Sequence, residues 1–76
     1  MNVGNRIKEF RGQKGLSTNK LANLAGVSQS YLRDVELGKK NPTVETLSYI
    51  CFALNISLQK FFTVNEEKIN SFLLSA

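Results

Sequence analysis

The sequence predicts an all-α fold: five short helices and a sixth helical segment at the C-terminal end. Three observations predict it. Apolar residues recur at helical spacing along most of the chain. Ser, Thr, Asn and Gly residues interrupt that pattern where caps and stops belong. No alternating apolar–polar run is long enough to make a useful strand.

The first helix is predicted over about 3–14. Val3, Ile7, Phe10 and the aliphatic stem of Lys14 share one face there, and Gly15 is the stop. Ser17 or Thr18 caps the second helix, whose face is Leu21, Ala22 and Ala25. Gly26 ends it, because a residue without Cβ enters the left-handed region at little cost. Ser28 caps the third helix; Tyr31, Leu32 and Val35 are its apolar positions and Gly38 stops it. After the polar loop Lys39–Pro42, Thr43 caps a fourth helix with Val44, Leu47, Ile50, Cys51 and Leu54 inward, and Asn55 ends it. Ser57 caps a short fifth helix that turns Leu58, Phe61 and Phe62 inward. Asn65 caps a last segment, Glu66–Leu74, with Ile69, Phe72 and Leu73 on one side. Glu66 and Glu67 sit at its start, where the helix dipole favours acids.

At 76 residues the chain holds one small domain. A chain of this size buries about 60% of its unfolded surface, and its core supplies about 3–5 kcal/mol. Further burial at a dimer interface would help it. The lone cysteine, Cys51, excludes an internal disulfide and reads as a small core residue. No histidine, no Cys/His cluster with metal spacing and no glycine-rich phosphate loop is present, so no enzyme, metal or cofactor is expected. No secretory signal is visible, and no apolar run approaches the roughly 18 residues of a membrane span; the expected location is the cytoplasm, with no membrane partner.

The net charge is +4, and it is unevenly placed. Residues 1–40 hold eight basic residues against three acidic ones; residues 41–76 hold two against three. The basic half contains Ser17–Gly38, two short helices around a glycine turn. That is the outline of a helix-turn-helix, whose second helix fits a DNA major groove. A plain helix pair with a solvated basic surface has the same spacing, and both readings stand at this point.

The segments RIKEFRGQKGLS, LANLAGVSQSYLRDVELGKKNPTVETL and ALNIS, spanning about Val3 to Phe62, narrow the choice. Together they resemble the Cro/repressor (XRE) family of helix-turn-helix proteins, with its five-helix lambda-repressor-like fold. The resemblance implies a DNA-binding domain over residues 1–63, with the helix-turn-helix unit at about 17–38, and a helical tail over 64–76 that is a candidate dimerisation element. It places Gln29, Ser30, Arg33 and Asp34 against base edges. A Gln amide suits adenine, and Ser takes a donor or an acceptor. Arg33 suits guanine or a phosphate; Asp34 suits cytosine N4 or orients Arg33. Ser17, Thr18, Ser28, Tyr31, Lys39, Lys40 and Asn41 fall where phosphates are held, and Tyr31 serves equally as a packing residue. Thr18 replaces the family's usual Gln, and Leu37 replaces a polar residue.

By the same resemblance, Arg11 and Glu36 form a largely buried, bidentate ion pair that fixes helix three to helix one. The implied function is a sequence-specific transcriptional regulator from a bacterium or phage. It would be a repressor that binds a palindromic operator on double-stranded DNA as a homodimer through Phe61, Phe62, Ile69, Phe72 and Leu73. The tail residues serve equally to pack on the monomer's own core. The same fold also serves as an antitoxin or as an adaptor holding a protein partner through its tail.

Overall fold

A computed structural model of the chain describes residues 2–63. Five helices follow one another: α1 (Val3–Gln13), α2 (Thr18–Ala25), α3 (Gln29–Glu36), α4 (Val44–Ala53) and α5 (Leu58–Phe62). The described residues contain no strand. The expected sixth helix, with Ile69, Phe72 and Leu73, lies outside them.

Each helix starts on a side chain that accepts from the amide three residues on. Asn2, Ser17, Ser28, Thr43 and Ser57 take the N–H groups of Asn5, Lys20, Tyr31, Thr46 and Lys60. Ser17, not Thr18, is therefore the cap of α2. The first four helices end alike. Gly15, Gly26, Gly38 and Asn55 all take positive φ, and the next residue's N–H reaches back to close the last turn. Leu16, Val27, Lys39 and Ile56 donate to the carbonyls of Arg11, Ala22, Asp34 and Cys51. Leu16, Val27 and Ile56 then fold back onto the core. Lys39, at the same place after α3, is exposed.

The core is one cluster: Ile7 and Phe10 of α1, Leu21, Ala22 and Ala25 of α2, Leu32 and Val35 of α3, Leu47, Ile50, Cys51 and Leu54 from α4 and its cap, and Phe61 of α5. α2 packs on α3 and α4, α1 on α3, and α5 on α4. Gly4 lets α1 cross the end of α3 at backbone distance. A Cβ there would run into the carbonyl oxygens of Val35 and Glu36.

Three expected core positions are corrected. Val44 is 76% exposed, because it is the first residue of α4 and precedes the stripe that faces inward. Phe62 is 48% exposed; it follows Phe61 by one residue, about 100° round a five-residue helix whose inward position Phe61 fills. Lys14 caps α1 outside the helix and is exposed, so its stem does not extend that face.

Candidate nucleic-acid interface

α2 and α3 meet at Gly26, where φ is 74°. Ala22 and Ala25 are buried at the junction, small enough for the helices to close on each other. Leu32 and Val35 anchor α3 beneath, with no more than 1% of either exposed. The opposite side of α3 is left to solvent. At about 100° per residue, Gln29, Ser30, Arg33, Asp34 and Leu37 fall within one arc of about 140°. Gln29, Ser30, Arg33 and Leu37 are exposed and Asp34 is half-buried. The chain thus presents a convex helix carrying an amide, a hydroxyl, a guanidinium and a carboxylate, which are the groups that read base edges.

Lys39, Lys40 and Asn41 leave the C-terminal end of α3 exposed. Lys40 turns back: its Nζ lies 3.7 Å from Asp34 Oδ2 and 5.7 Å from the centroid of the Tyr31 ring. Asp34 is thus partnered by Lys40 rather than by Arg33. Tyr31 is half-buried and packs against the core. Ser17 and Ser28 sit at the helix starts with their oxygens accepting from the Lys20 and Tyr31 amides. The Ser17 hydroxyl proton is left to donate outward, while Ser28 Oγ also lies 3.5 Å from Ser30 Oγ.

The support behind this face differs from expectation in detail. Arg11 Nε donates to Glu36 Oε1 at 2.7 Å, and the Glu36 side chain is 5% exposed. The pair is not bidentate. Arg11 Nη1 donates to the Leu16 carbonyl at 2.9 Å, and Glu36 Oε2 accepts from Thr18 Oγ1 at 3.2 Å. The Thr18 hydroxyl is thereby turned inward; what the start of α2 offers an anion is its first-turn amides. Phe61 does not lie on an outer surface. It is fully buried, 6.0 Å from the Phe10 ring, so it has no area to give a second chain.

Arg6, read from sequence as one more positive charge, is a clamp. Its Nε donates to the Phe61 carbonyl at 2.9 Å and its Nη2 to the Thr63 carbonyl, tying α1 to the end of α5. Its guanidinium also stacks on Phe10, 5.1 Å from the ring centroid. No signal in the sequence distinguishes it from the neighbouring Lys8. Gly4 is one of two glycines inside α1, and only the packing distinguishes it from Gly12, whose Cβ position is open.

The family model described as "HTH_3: Helix-turn-helix" matches residues 7–61. The transcriptional regulator SinR of Bacillus subtilis is 37% identical over 67 residues, covering 87% of this chain and 58% of that protein. The immunity repressor of Bacillus phage phi105 is 39% identical over 69 residues, 91% of this chain and 46% of the repressor. The chain therefore spans about half the length of these relatives. Among solved structures, the restriction-modification controller protein C.AhdI of Aeromonas hydrophila superposes with a TM-score of 0.77 at 36% identity, over 80% of this chain and 92% of that one. SinR in complex with DNA superposes with a TM-score of 0.74 at 35% identity, over 80% and 98%. Pattern, geometry and these likenesses agree: the chain belongs to the XRE-type HTH_3 helix-turn-helix family.

Proposed function

We propose that this protein is a sequence-specific DNA-binding transcriptional regulator, a repressor that binds a near-palindromic operator as a homodimer. The observation that carries the reading is the solvent face of α3. Gln29, Ser30, Arg33 and Asp34 share one arc on a helix anchored from behind by Leu32, Val35 and the buried Glu36. In this reading α3 enters the major groove, while the starts of α2 and α3 and the Lys39–Asn41 loop follow the phosphates. Leu37, exposed at the end of the same arc, reaches a thymine methyl or a sugar rather than a phosphate.

Two copies would place their recognition helices about 34–36 Å apart, one turn of DNA. Phe61 is unavailable for that contact. The large apolar side chains that remain exposed near it in sequence are Tyr49, Phe52 and Phe62, and Phe52 is 85% exposed. These residues, with the tail, form the proposed dimer surface.

The test is selection of duplexes from a random pool by the purified protein, followed by titration of the recovered sequence at several salt concentrations. A palindromic consensus and an affinity that falls steeply with salt are expected. An enriched pool without a consensus, or a flat salt response, counts against the reading.

A further inference from the structure

We infer that Asp34 and Lys40 form a discriminator within the reading face: the carboxylate withholds the lysine from DNA phosphates until a matching base takes its place. This rests on the reading of α3 as the recognition helix. Lys40 is 3.7 Å from Asp34 and lies over Tyr31, one turn earlier on the same helix. Its Nζ is therefore held at two points, an anion and a π face, both belonging to α3. Arg33 and Lys39, its neighbours on this side, are in no ion pair among the described residues. Of the three cations at this end of α3, Lys40 is thus the one already engaged.

A phosphate that recruits Lys40 competes for it with Asp34. The carboxylate is then left beside a groove edge. Where that edge offers a donor, cytosine N4 or adenine N6, Asp34 exchanges an ammonium for an amino group and Lys40 neutralises a phosphate. Where the edge offers guanine O6 or N7, the carboxylate meets acceptors, and Lys40 stays home. One base thereby controls a phosphate contact, and the contact is switched on by the correct sequence. The pair is solvent-exposed enough to break: the side chains of Lys40 and Asp34 are 55% and 33% accessible.

The test is a double-mutant cycle on the full chain, with Asp34→Asn, Lys40→Gln and the double variant. Affinity for the selected operator and for a random-sequence duplex is read by fluorescence anisotropy across a salt series, and thermal melts confirm that each variant is folded. Asp34→Asn should tighten random-duplex binding by about threefold to tenfold and steepen its salt dependence by about one phosphate. Lys40→Gln alone should leave the random-duplex salt slope unchanged and lower the operator slope by about one. In the Lys40→Gln background, most of the Asp34→Asn gain should vanish. If that gain persists in full without Lys40, Asp34 acts only by repelling phosphates, and the discriminator is overturned while DNA binding stands. If the wild-type chain binds neither duplex, the recognition-helix reading fails and the inference falls with it.

Discussion

Arg11 and Glu36 share a single hydrogen bond, Nε to Oε1 at 2.7 Å, and each gives its other polar end to a third residue. Arg11 Nη1 holds the Leu16 carbonyl, while the Leu16 amide holds the Arg11 carbonyl. Glu36 Oε2 takes the Thr18 hydroxyl at the start of α2. One carboxylate at the end of α3 thus fixes the ends of α1 and α2 as well. The proposed reading face therefore stands on a polar junction of three helices.

Removing one member of that junction strands the other. Glu36→Gln keeps the shape but leaves a half-buried guanidinium without its anion, at a cost of about 3 kcal/mol. In a domain of this size that lowers the thermal midpoint by about 12 °C or more. Arg11→Met should cost at least as much, since it leaves the less exposed carboxylate unpaired. Replacing both by apolar residues, Arg11→Met with Glu36→Leu, should recover much of the loss. An unchanged midpoint for Glu36→Gln would show the pair to be energetically idle.

Two glycines of α1 are predicted to respond to alanine with opposite signs. At Gly4 the new methyl collides with the Val35 and Glu36 carbonyls, which are backbone and can yield only if α1 lifts off α3. A loss of about 1–3 kcal/mol is expected. At Gly12 a Cβ meets nothing within 4 Å, and the helix gains from the stiffer residue. A gain of about 0.5–1 kcal/mol is expected. Urea midpoints of the two variants, compared with the parent, decide both.

The fold was legible because its signals are local. Five apolar registers, the serine and threonine caps and four positive-φ stops lie within a few residues of the backbone they control. Ser28 and Gly26 could be placed without knowing what they pack against. Side chains whose partners lie far along the chain were another matter. Arg6 reaches carbonyls 55 and 57 residues away, and nothing in its neighbourhood announces a clamp. The Arg11–Glu36 contact came from a family pattern, and that pattern did not contain the split geometry, which depends on where Leu16 and Thr18 happen to sit. Phe61 and Phe62 illustrate the same boundary. Two adjacent aromatics look equivalent in sequence, yet a one-residue step on a helix sends one to the core and the other to solvent.

That step gives a third prediction. Phe61→Ala empties a fully buried site and should cost about 3–5 kcal/mol, enough to unfold most of a core this small. Phe52→Ser removes a ring that is 85% exposed and should move stability by less than about 0.5 kcal/mol. If Phe52 belongs to the proposed dimer surface, the same change raises the dimer dissociation constant, which sedimentation equilibrium measures directly. A fall in thermal midpoint for Phe52→Ser without a change in association would assign it to the monomer instead.

Cys51 gives a chemical readout of folding. It is buried, and desolvation raises its thiol pKa above the ordinary 9.0. The neutral thiol is the form the fold prefers. Its effect on stability is constant below about pH 9, and stability falls as pH climbs from there through the raised value. At neutral pH the folded protein should resist iodoacetamide, and its labelling rate should follow the denaturant unfolding curve. Rapid labelling in the absence of denaturant would show that α4 opens far more often than its burial implies.

Within the proposed regulator, Gln29 and Lys39 should separate sequence reading from charge. Both are exposed, at opposite ends of the α3 face. Gln29→Ala removes a base-edge amide and should cost about 1–3 kcal/mol on the selected operator while relaxing one base position. Random-sequence duplexes should hardly notice it. Lys39→Ala should weaken operator and random duplexes alike and lower the salt slope by about one, as the loss of one phosphate contact requires. The two profiles come from one set of anisotropy titrations. If Gln29→Ala behaved like Lys39→Ala, α3 would lie along the backbone and not in the groove, and the base-reading arc from Gln29 to Leu37 would need to be abandoned.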